Sequence, residues 1–328
     1  MPFDYLKDKT ILITGGTGSF GRSFVRYLLD SELKKIIVFS RDELKQFEMR
    51  EEMKDKRLRF FLGDIRDLPR LQRAFRGVDT VVHAAALKQV PTLEYNPFEA
   101  VQTNIIGSQN VIDASIDQGV KKVLLISTDK AAEPANLYGA TKLCAEKLFT
   151  GANFYSPEET IFSAVRYGNV VGSRGSLVDI LKKNGDLKQV RITDPAMTRF
   201  WITLKQSFDI VDFAFRNMVG GEIFIPKIPS MKVVDLFDAV VPGVEKETVG
   251  IRAGEKLHEV LLTKDESRRA VELDEAYVVL ALFPHATEEV FSKYYTSGRK
   301  LDAGFSFASD TNKNWLTKED FKEIIKEI

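Results

Sequence analysis

Cysteine is almost missing from this chain of 328 residues. Cys144 is its one thiol, so no disulfide can form within the chain and a reducing compartment is expected. Histidine is nearly as scarce. His83, His258 and His285 stand far apart with no Cys or second His close to any of them, which argues against a zinc site; no metal centre is expected. Net charge is missing too: 47 Lys and Arg offset 47 Asp and Glu, leaving no overall field to attract nucleic acid or an anionic membrane. No apolar run approaches the ~20 residues needed to cross a bilayer, and the opening MPFDYLKDK lacks the apolar core of a signal peptide. Internal repeats and low-complexity linkers are also absent. What remains is an ordinary globular composition, 44% hydrophobic and 29% charged. The expected location is the cytoplasm, with no nucleic-acid or membrane partner.

Residues 10–14, TILIT, form a short β-branched run. Gly15-Gly16-Thr17-Gly18-Ser19-Phe20-Gly21 follows, and then the amphipathic RSFVRYLLDSEL. Strand, glycine-rich turn and helix in that order let backbone approach a pyrophosphate at a helix N-terminus. The spacing is GxxGxxG rather than GxGxxG, but the physics is the same, and Gly15, Thr17, Gly18, Ser19, Phe20 and Gly21 are the expected cradle. A second strand, KKIIVFS, ends at Ser40, with Arg41 next and Lys45 a helical turn beyond. Asp or Glu at that point would suit the ribose hydroxyls of NAD, whereas Arg41 suits paired hydrogen bonds to a 2′-phosphate. NADP is therefore the expected cofactor, with Asp42 keeping NAD open. RLRFFLGDIRD supplies a third strand, placing Asp64 to accept from an adenine amino group and Ile65 to pack on the ring. DTVVHAAALKQV supplies a fourth. Its Ala84, Ala85 and Ala86 would let cofactor pass close to the backbone, Lys88 points to the same crevice, and His83 reads as a core residue. A helix is expected from about Asn104 to Gln118.

The alternation of strand and helix predicts an α/β fold: a Rossmann-type doubly wound parallel sheet with a smaller mixed α/β C-terminal substrate domain. Residues 1–172 are expected to form the NADP-binding domain, with a segment about 202–227 returning to it. Residues 173–328 are expected mainly to bind substrate, with the active site between the lobes.

LLISTDKAAEPANLYGATK, residues 124–142, is the chemical centre. A strand releases Thr128, Asp129 and Lys130 at its carboxyl end, where open parallel sheets bind ligands. A helix then starts with Tyr138 and Lys142 four residues apart, on one face. Farther on, TIFSAVRYGNVVG reads as one strand, SRGSLVDILKKNGDLKQVRITDPAMTRFWI as a loop-rich substrate cap, and GEIFIPKI as a strand. IPSMKVVDLFDAVV reads as turn and helix. GIRAGEKLHEVLL puts Arg252, Glu255 and Lys256 just before or within a helix start, and about residues 275–300 give no specific signal.

TGGTGSFG together with Tyr138-x-x-x-Lys142 resembles the extended short-chain dehydrogenase/reductases. With SRDELKQFE, HAAALKQVP, STDKA, RYGNVVGSRGS, MTRFWI, IPSMK and RAGEKLHE added, the chain resembles the UDP-N-acetylglucosamine 4,6-dehydratases that invert carbon 5, the entry enzymes of bacterial pseudaminic acid biosynthesis. The resemblance spans nearly the whole chain. It implies an internal redox cycle in which hydride leaves carbon 4, water is lost across carbons 5 and 6, and hydride returns to carbon 6. It implies Tyr138 as base for the 4-hydroxyl, with its phenol lowered by Lys142 and nicotinamide from a usual value near 10. Lys142 would also hold the nicotinamide ribose, and Thr128 would position the 4-oxygen. Lys130, if neutral, would take the carbon-5 proton and Asp129 would protonate the departing hydroxyl. UDP-N-acetylglucosamine would be bound by Lys88, Tyr167, Asn169, Arg174, Arg199, Arg252 and Glu255, with Arg199 and Arg252 on the pyrophosphate. A homo-oligomer, dimer or hexamer, is expected. A retaining dehydratase or a 4-epimerase is disfavoured by Asp129-Lys130, since an epimerase needs no acid at carbon 6 and a retaining enzyme carries Asp-Glu there. A catalytically silent NADP sensor would be expected to lose Tyr138, Lys142 or Asp129, and all are present.

Overall fold

The runs TILIT, KIIVFS, TVVH and KVLLI are buried along almost their whole length, so their backbones must pair with one another rather than with water. They do so in the computed structural model, which describes residues 3–156, 160–173, 179, 181, 189–281 and 288–326. Among these residues β1 (Thr10–Thr14), β2 (Lys35–Ser40), β3 (Leu58–Leu62), β4 (Thr80–His83), β5 (Lys122–Ile126) and β6 (Ile161–Val165) lie parallel in the order β3-β2-β1-β4-β5-β6. The order reverses between β1 and β4, which opens a crevice at their carboxyl ends. The expected α/β class and doubly wound parallel sheet are therefore present.

The crossover helices are fixed by their caps and apolar faces. α1 (Ser19–Leu28) buries Phe24, Val25 and Leu28. α2 (Glu43–Met53) is capped by Asp42, which accepts from the Lys45 N–H, and α3 (Leu68–Phe75) by Asp67. The helix expected from Asn104 is more broken. α4 (Val90–Tyr95) and α5 (Pro97–Ala100) each carry a proline in their first turn, and a π-helical stretch over Val101–Ile106 precedes α6 (Gly107–Asp117). α7 (Leu137–Ala152) returns the chain to β6.

The segment read as one strand, TIFSAVRYGNVVG, divides. β6 stops at Val165, and β7 (Asn169–Val170) leaves the main sheet to pair with β9 (Thr198–Ile202). The strand β8 (Gln189–Ile192) precedes β9. A helix at Leu204–Asn217, started by a Thr203–Gln206 capping box, leads into β10 (Ile223–Pro226), which joins the main sheet parallel to β6. IPSMKVVDLFDAVV contains a strand, β11 (Ser230–Lys232), antiparallel to β9, before its helix Val233–Val240. β12 (Glu245–Thr248) pairs with β8.

GIRAGEKLHEVLL corrects the helix start expected there. Residues 251–259 form turns, with Gly254 at φ 81°, and run into β13 (Val260–Leu262). A left-handed glycine breaks helical continuation. β14 (Ala270–Glu272), β15 (Ala276–Val279) and β16 (Arg299–Lys300) then extend the main sheet antiparallel beyond β10, giving it ten strands among the described residues, while β17 (Phe307–Ala308) pairs with β13. The stretch from 275 that carried no sequence signal thus supplies an edge of the sheet. Beside the sheet's core, a smaller core gathers Val190, Ile192, Trp201, Leu236, Phe237 and Phe321.

Candidate active site

A cavity of about 630 Å³ runs from the glycine turn across the carboxyl ends of the parallel strands and under the 189–256 segment. At the turn, Gly15 has φ 66°, and a Cβ there would stand 2.8 Å from the backbone of Ala85. Only glycine permits this approach. Gly18 caps α1 without a side-chain bond to its first N–H groups, the arrangement that suits a phosphate. Gly15, Gly18, Ser19, Phe20, Gly21, Ala84, Ala86 and Lys88 all line the cavity. Thr17 and Ala85 lie in the same two turns without lining it, Thr17 being buried. These residues form a cradle that a dinucleotide fits.

The adenosine-side candidates lie at the ends of β2 and β3, outside that cavity. Ser40 is buried and accepts from the Gln46 amide at 3.0 Å. Arg41 is exposed, with Nη1 3.6 Å from Asp64 Oδ2. Asp42 is occupied as helix cap and ion-pairs with Lys45. Asp64 accepts from the Arg66 backbone and guanidinium at 2.8–3.0 Å, while Ile65 is buried against α6 at Gly107.

The chemical centre is built where α7 meets the turn after β5. Asn136 caps α7 by accepting from Gly139 N–H at 2.9 Å. A Cβ on Gly139 would sit 2.1 Å from the Lys130 carbonyl oxygen, so glycine allows the helix start to press on the Asp129–Ala131 turn. That contact brings Tyr138 and Lys142 to the same cavity wall as Thr128 and Lys130. Thr128 Oγ1 donates to Asp129 Oδ1 at 2.9 Å and Lys130 Nζ donates to the same oxygen at 3.0 Å. Lys130 Nζ also lies 3.5 Å from Asn169 Oδ1 and 3.8 Å from Glu259 Oε1. Lys142 Nζ donates to the Ile126 carbonyl at 2.8 Å.

Burial pulls the Lys142 amine down to about 8 against the attraction of Glu146. Burial pushes the Tyr138 phenol up to about 12, with Lys130 opposing it. The cation beside the phenol is thus Lys130 rather than Lys142 as expected. For Lys130, burial works against the charge, but Asp129 and Glu259 more than reverse it and hold the amine above its ordinary range. The neutral form that a base role for Lys130 requires is therefore not its resting form.

On the substrate side, Tyr167, Asn169, Arg199, Arg252 and Glu255 line the cavity; Arg174 lies outside the described residues. Arg199 differs from expectation. Its guanidinium donates to the carbonyls of Thr198, Leu257 and Lys256 at 2.7, 3.1 and 3.0 Å and so stitches β9 to the 256–257 turn. Arg252 is exposed on the cavity rim. Glu255 accepts from Thr193 Oγ1 at 3.1 Å. The 252–256 turn is tied to the catalytic side by Asn136 Nδ2, which donates to Gly254 O at 2.8 Å, and by Lys256 Nζ, which donates to Ala132 O at 2.5 Å.

Sequence reading missed Glu259, a buried carboxylate among three cations, and the lining residues Arg191, Thr193, Val233 and Phe237. A Glu inside the apolar stretch HEVLL was the one available signal for the first. Among the described residues no group of three or more His, Cys, Asp or Glu could hold a metal ion, and no helix is long and apolar enough to cross a membrane.

Residues 11–281 match the family model described as polysaccharide biosynthesis protein. The chain is 49% identical over 325 residues, 97% of each chain, to a UDP-N-acetylglucosamine 4,6-dehydratase (inverting) of Campylobacter jejuni subsp. jejuni serotype O:23/36 (strain 81-176). It is 39% identical over 332 residues, 97% of this chain and 95% of the other, to a UDP-glucose 4-epimerase of Rickettsia conorii (strain ATCC VR-613 / Malish 7). Among solved structures, Pen from Bacillus thuringiensis superposes with a TM-score of 0.89 at 40% identity over 98% of both chains.

Proposed function

The chain belongs to the polysaccharide biosynthesis protein family, and from that premise we propose that it is a UDP-N-acetylglucosamine 4,6-dehydratase that inverts carbon 5, yielding UDP-2-acetamido-2,6-dideoxy-β-L-arabino-hex-4-ulose for pseudaminic acid biosynthesis. The reading rests on one observation: Lys130, hydrogen-bonded to Asp129, shares a cavity wall with Tyr138 and Lys142, a lysine where a retaining dehydratase would carry a second carboxylate. The 49% identity to an enzyme of that name over 97% of both chains supports it.

NADP is the proposed cofactor, its pyrophosphate against Gly15, Gly18 and Gly21 and its 2′-phosphate toward Arg41 and Lys45. When bound, its nicotinamide supplies a reversible hydride acceptor for carbon 4 and, later, a hydride donor for carbon 6. Tyr138 takes the 4-hydroxyl proton, for which its phenol must ionise; Lys130 opposes the effect of burial on it, a positive nicotinamide would favour ionisation further, and Lys142 would hold the nicotinamide ribose. Lys130 takes the carbon-5 proton while Asp129 protonates the departing 6-hydroxyl, so the C–H electron pair becomes the carbon 5–carbon 6 double bond as water leaves. Both forms arise from a single shift: the Lys130 proton moves across the 3.0 Å hydrogen bond to Asp129, leaving an amine base and a carboxylic acid. Tyr138 then returns a proton to carbon 5 from the opposite face. Arg252 takes the UDP pyrophosphate, and Tyr167, Asn169 and Glu255 contact sugar or ribose.

Residues 1–172 with about 202–227 act as the NADP-binding unit and the remainder as the sugar-nucleotide unit. Tyr95, Phe98 and Ile106, large apolar side chains exposed along one stretch, support a homo-oligomer, dimer or hexamer, working in the cytoplasm.

The test is incubation with UDP-N-acetylglucosamine in deuterated water, with NMR of the product. A 4-keto-6-deoxy sugar inverted at carbon 5 and deuterated there is expected. The carbon-4 epimer formed without loss of water would instead identify a 4-epimerase.

A further inference from the structure

Glu259 stands just before β13, facing the catalytic lysine from the opposite lobe. It is 3% exposed. Its Oε1 lies 3.8 Å from Lys130 Nζ and 3.7 Å from Arg199 Nε, and its Oε2 lies 3.8 Å from Lys256 Nζ with no hydrogen-bond partner. None of the three cations approaches to hydrogen-bonding distance. A buried carboxylate without a hydrogen bond is costly to keep charged, and a glutamine of the same shape would fill the site without that cost. The neighbours explain a charge here. Lys130, Arg199 and Lys256 converge on one buried volume in which Asp129 is the remaining anion, and Asp129 is already hydrogen-bonded to Thr128 and Lys130.

We propose that Glu259 is a positioning residue that sets the protonation state of the Asp129–Lys130 pair, holding Lys130 charged and aimed at Asp129 until the sugar is bound. The inference rests on Lys130 being the carbon-5 base. Coulomb attraction across 3.8 Å of buried space favours the ammonium over the amine. The charged groups around the site come from four places: Asp129 and Lys130 after β5, Arg199 on β9, Lys256 on the 252–256 turn, and, one step out, Tyr138 on α7, which faces Lys130, and Glu133, which faces Lys256. Arg199 is fixed by three backbone carbonyls and Glu259 itself by Ser309, whose hydroxyl accepts from Glu259 N–H at 2.9 Å and whose N–H donates to Glu259 O at 2.8 Å. The frame around the carboxylate is therefore independent of its charge, and Glu259→Gln changes the charge alone.

With the anion gone, the doubly protonated pair, an Asp129 carboxyl beside a Lys130 ammonium from which the internal shift to Asp129 cannot occur, becomes harder to form. The acid limb of the pH profile for deuterium entry at carbon 5, read under single-turnover conditions, is expected to move down by about one unit or more in E259Q, while UDP affinity and the thermal midpoint stay near the parent's. A packing role alone would lower the rate without moving the limb. Should E259Q not fold, Glu259→Asp retracts the same charge by one methylene and is expected to shift the limb in the same direction by less. Parent enzyme that exchanges carbon-5 hydrogen, beside a variant with the parent's pH profile, overturns the role of Glu259 alone. Parent enzyme without carbon-5 exchange overturns the dehydratase reading, and this inference with it.

Discussion

At the scale of single residues, charge and burial decide what each group offers. Arg252 sits on the rim with its guanidinium exposed, whereas Arg199 has given its donors to backbone carbonyls. Two arginines that looked equivalent in sequence are therefore separable. Charge-assisted bonds contribute about 1.5–3 kcal/mol, so Arg252→Ala is expected to weaken UDP roughly ten- to a hundredfold and leave NADP binding intact, as calorimetry would show. His83 reads as core and lies in the core. It is 1% exposed, bonded to Thr14 Oγ1 at 2.7 Å and Ser108 Oγ at 3.0 Å, and stacked on Phe149. Burial, reinforced by Lys142, drives its imidazole from 6.5 down to about 3. The unfolded chain then binds a proton below pH 6.5 that the folded chain refuses until about pH 3. Stability should fall as the pH drops through that window, by at most ~1.4 kcal/mol per unit from this residue. Urea midpoints between pH 6.5 and 5 should decline in the parent and much less in His83→Gln. Equal slopes in the two proteins would remove His83 as the cause.

At the scale of elements, the start of α7 is the joint on which the site turns. Asn136 caps the helix through Oδ1 and holds the 252–256 turn through Nδ2. Asn136→Ala should cost about 1 kcal/mol of stability from the lost cap, and it should also weaken UDP binding, because the turn carrying Arg252 loses its tether. Denaturation alongside calorimetry separates the two effects; a variant destabilised with parental UDP affinity would show that the tether does not shape the site. This joint also marks what the sequence could disclose. The Tyr138–Lys142 face and the β1–glycine–α1 turn are local, set by spacing within a few residues, and were legible; the Asn136 cap is equally local but was not read. The partner of Asn136 Nδ2 lies 118 residues away, and no local pattern announces it. The misread helix at 251–259 has the same cause: its polar residues suit a helix start, but Lys256 is spent on the Ala132 carbonyl and Glu255 on Thr193, and Gly254 takes a left-handed φ. Lys130 was legible in position but not in charge, since Glu259 reaches it only through the fold.

At the scale of the whole molecule, segments far apart in the sequence share a buried ionic knot. Arg166, fully buried after β6, donates to Glu146 on α7 at 2.6 and 3.0 Å, to Glu266 at 2.9 Å through both terminal nitrogens, and to the Leu261 carbonyl at 2.9 Å. The Arg166 guanidinium overcomes burial and holds the Glu266 carboxyl down at about 2. That contribution to stability is present above pH 4.5 and is lost as the pH falls through 2. Arg166→Met would remove the one cation hydrogen-bonded to both carboxylates, with Arg269 left to act on them from farther off, and should cost about 3–5 kcal/mol, read as a lowered urea midpoint at pH 7. A loss below 1 kcal/mol would mean that water reaches the site and the knot contributes little.

The antiparallel extension of the main sheet has a consequence for how the chain is made. During synthesis β1 through β6 emerge first, yet β6 is covered only when β10 arrives, and β10 only when β15 folds back on it. Until then the nascent sheet exposes an apolar, unpaired edge at β6. The sheet begun by β1 through β6 cannot be completed ahead of β10 and β15, and the interval between β6 and β10 is when a growing chain is more exposed to aggregation.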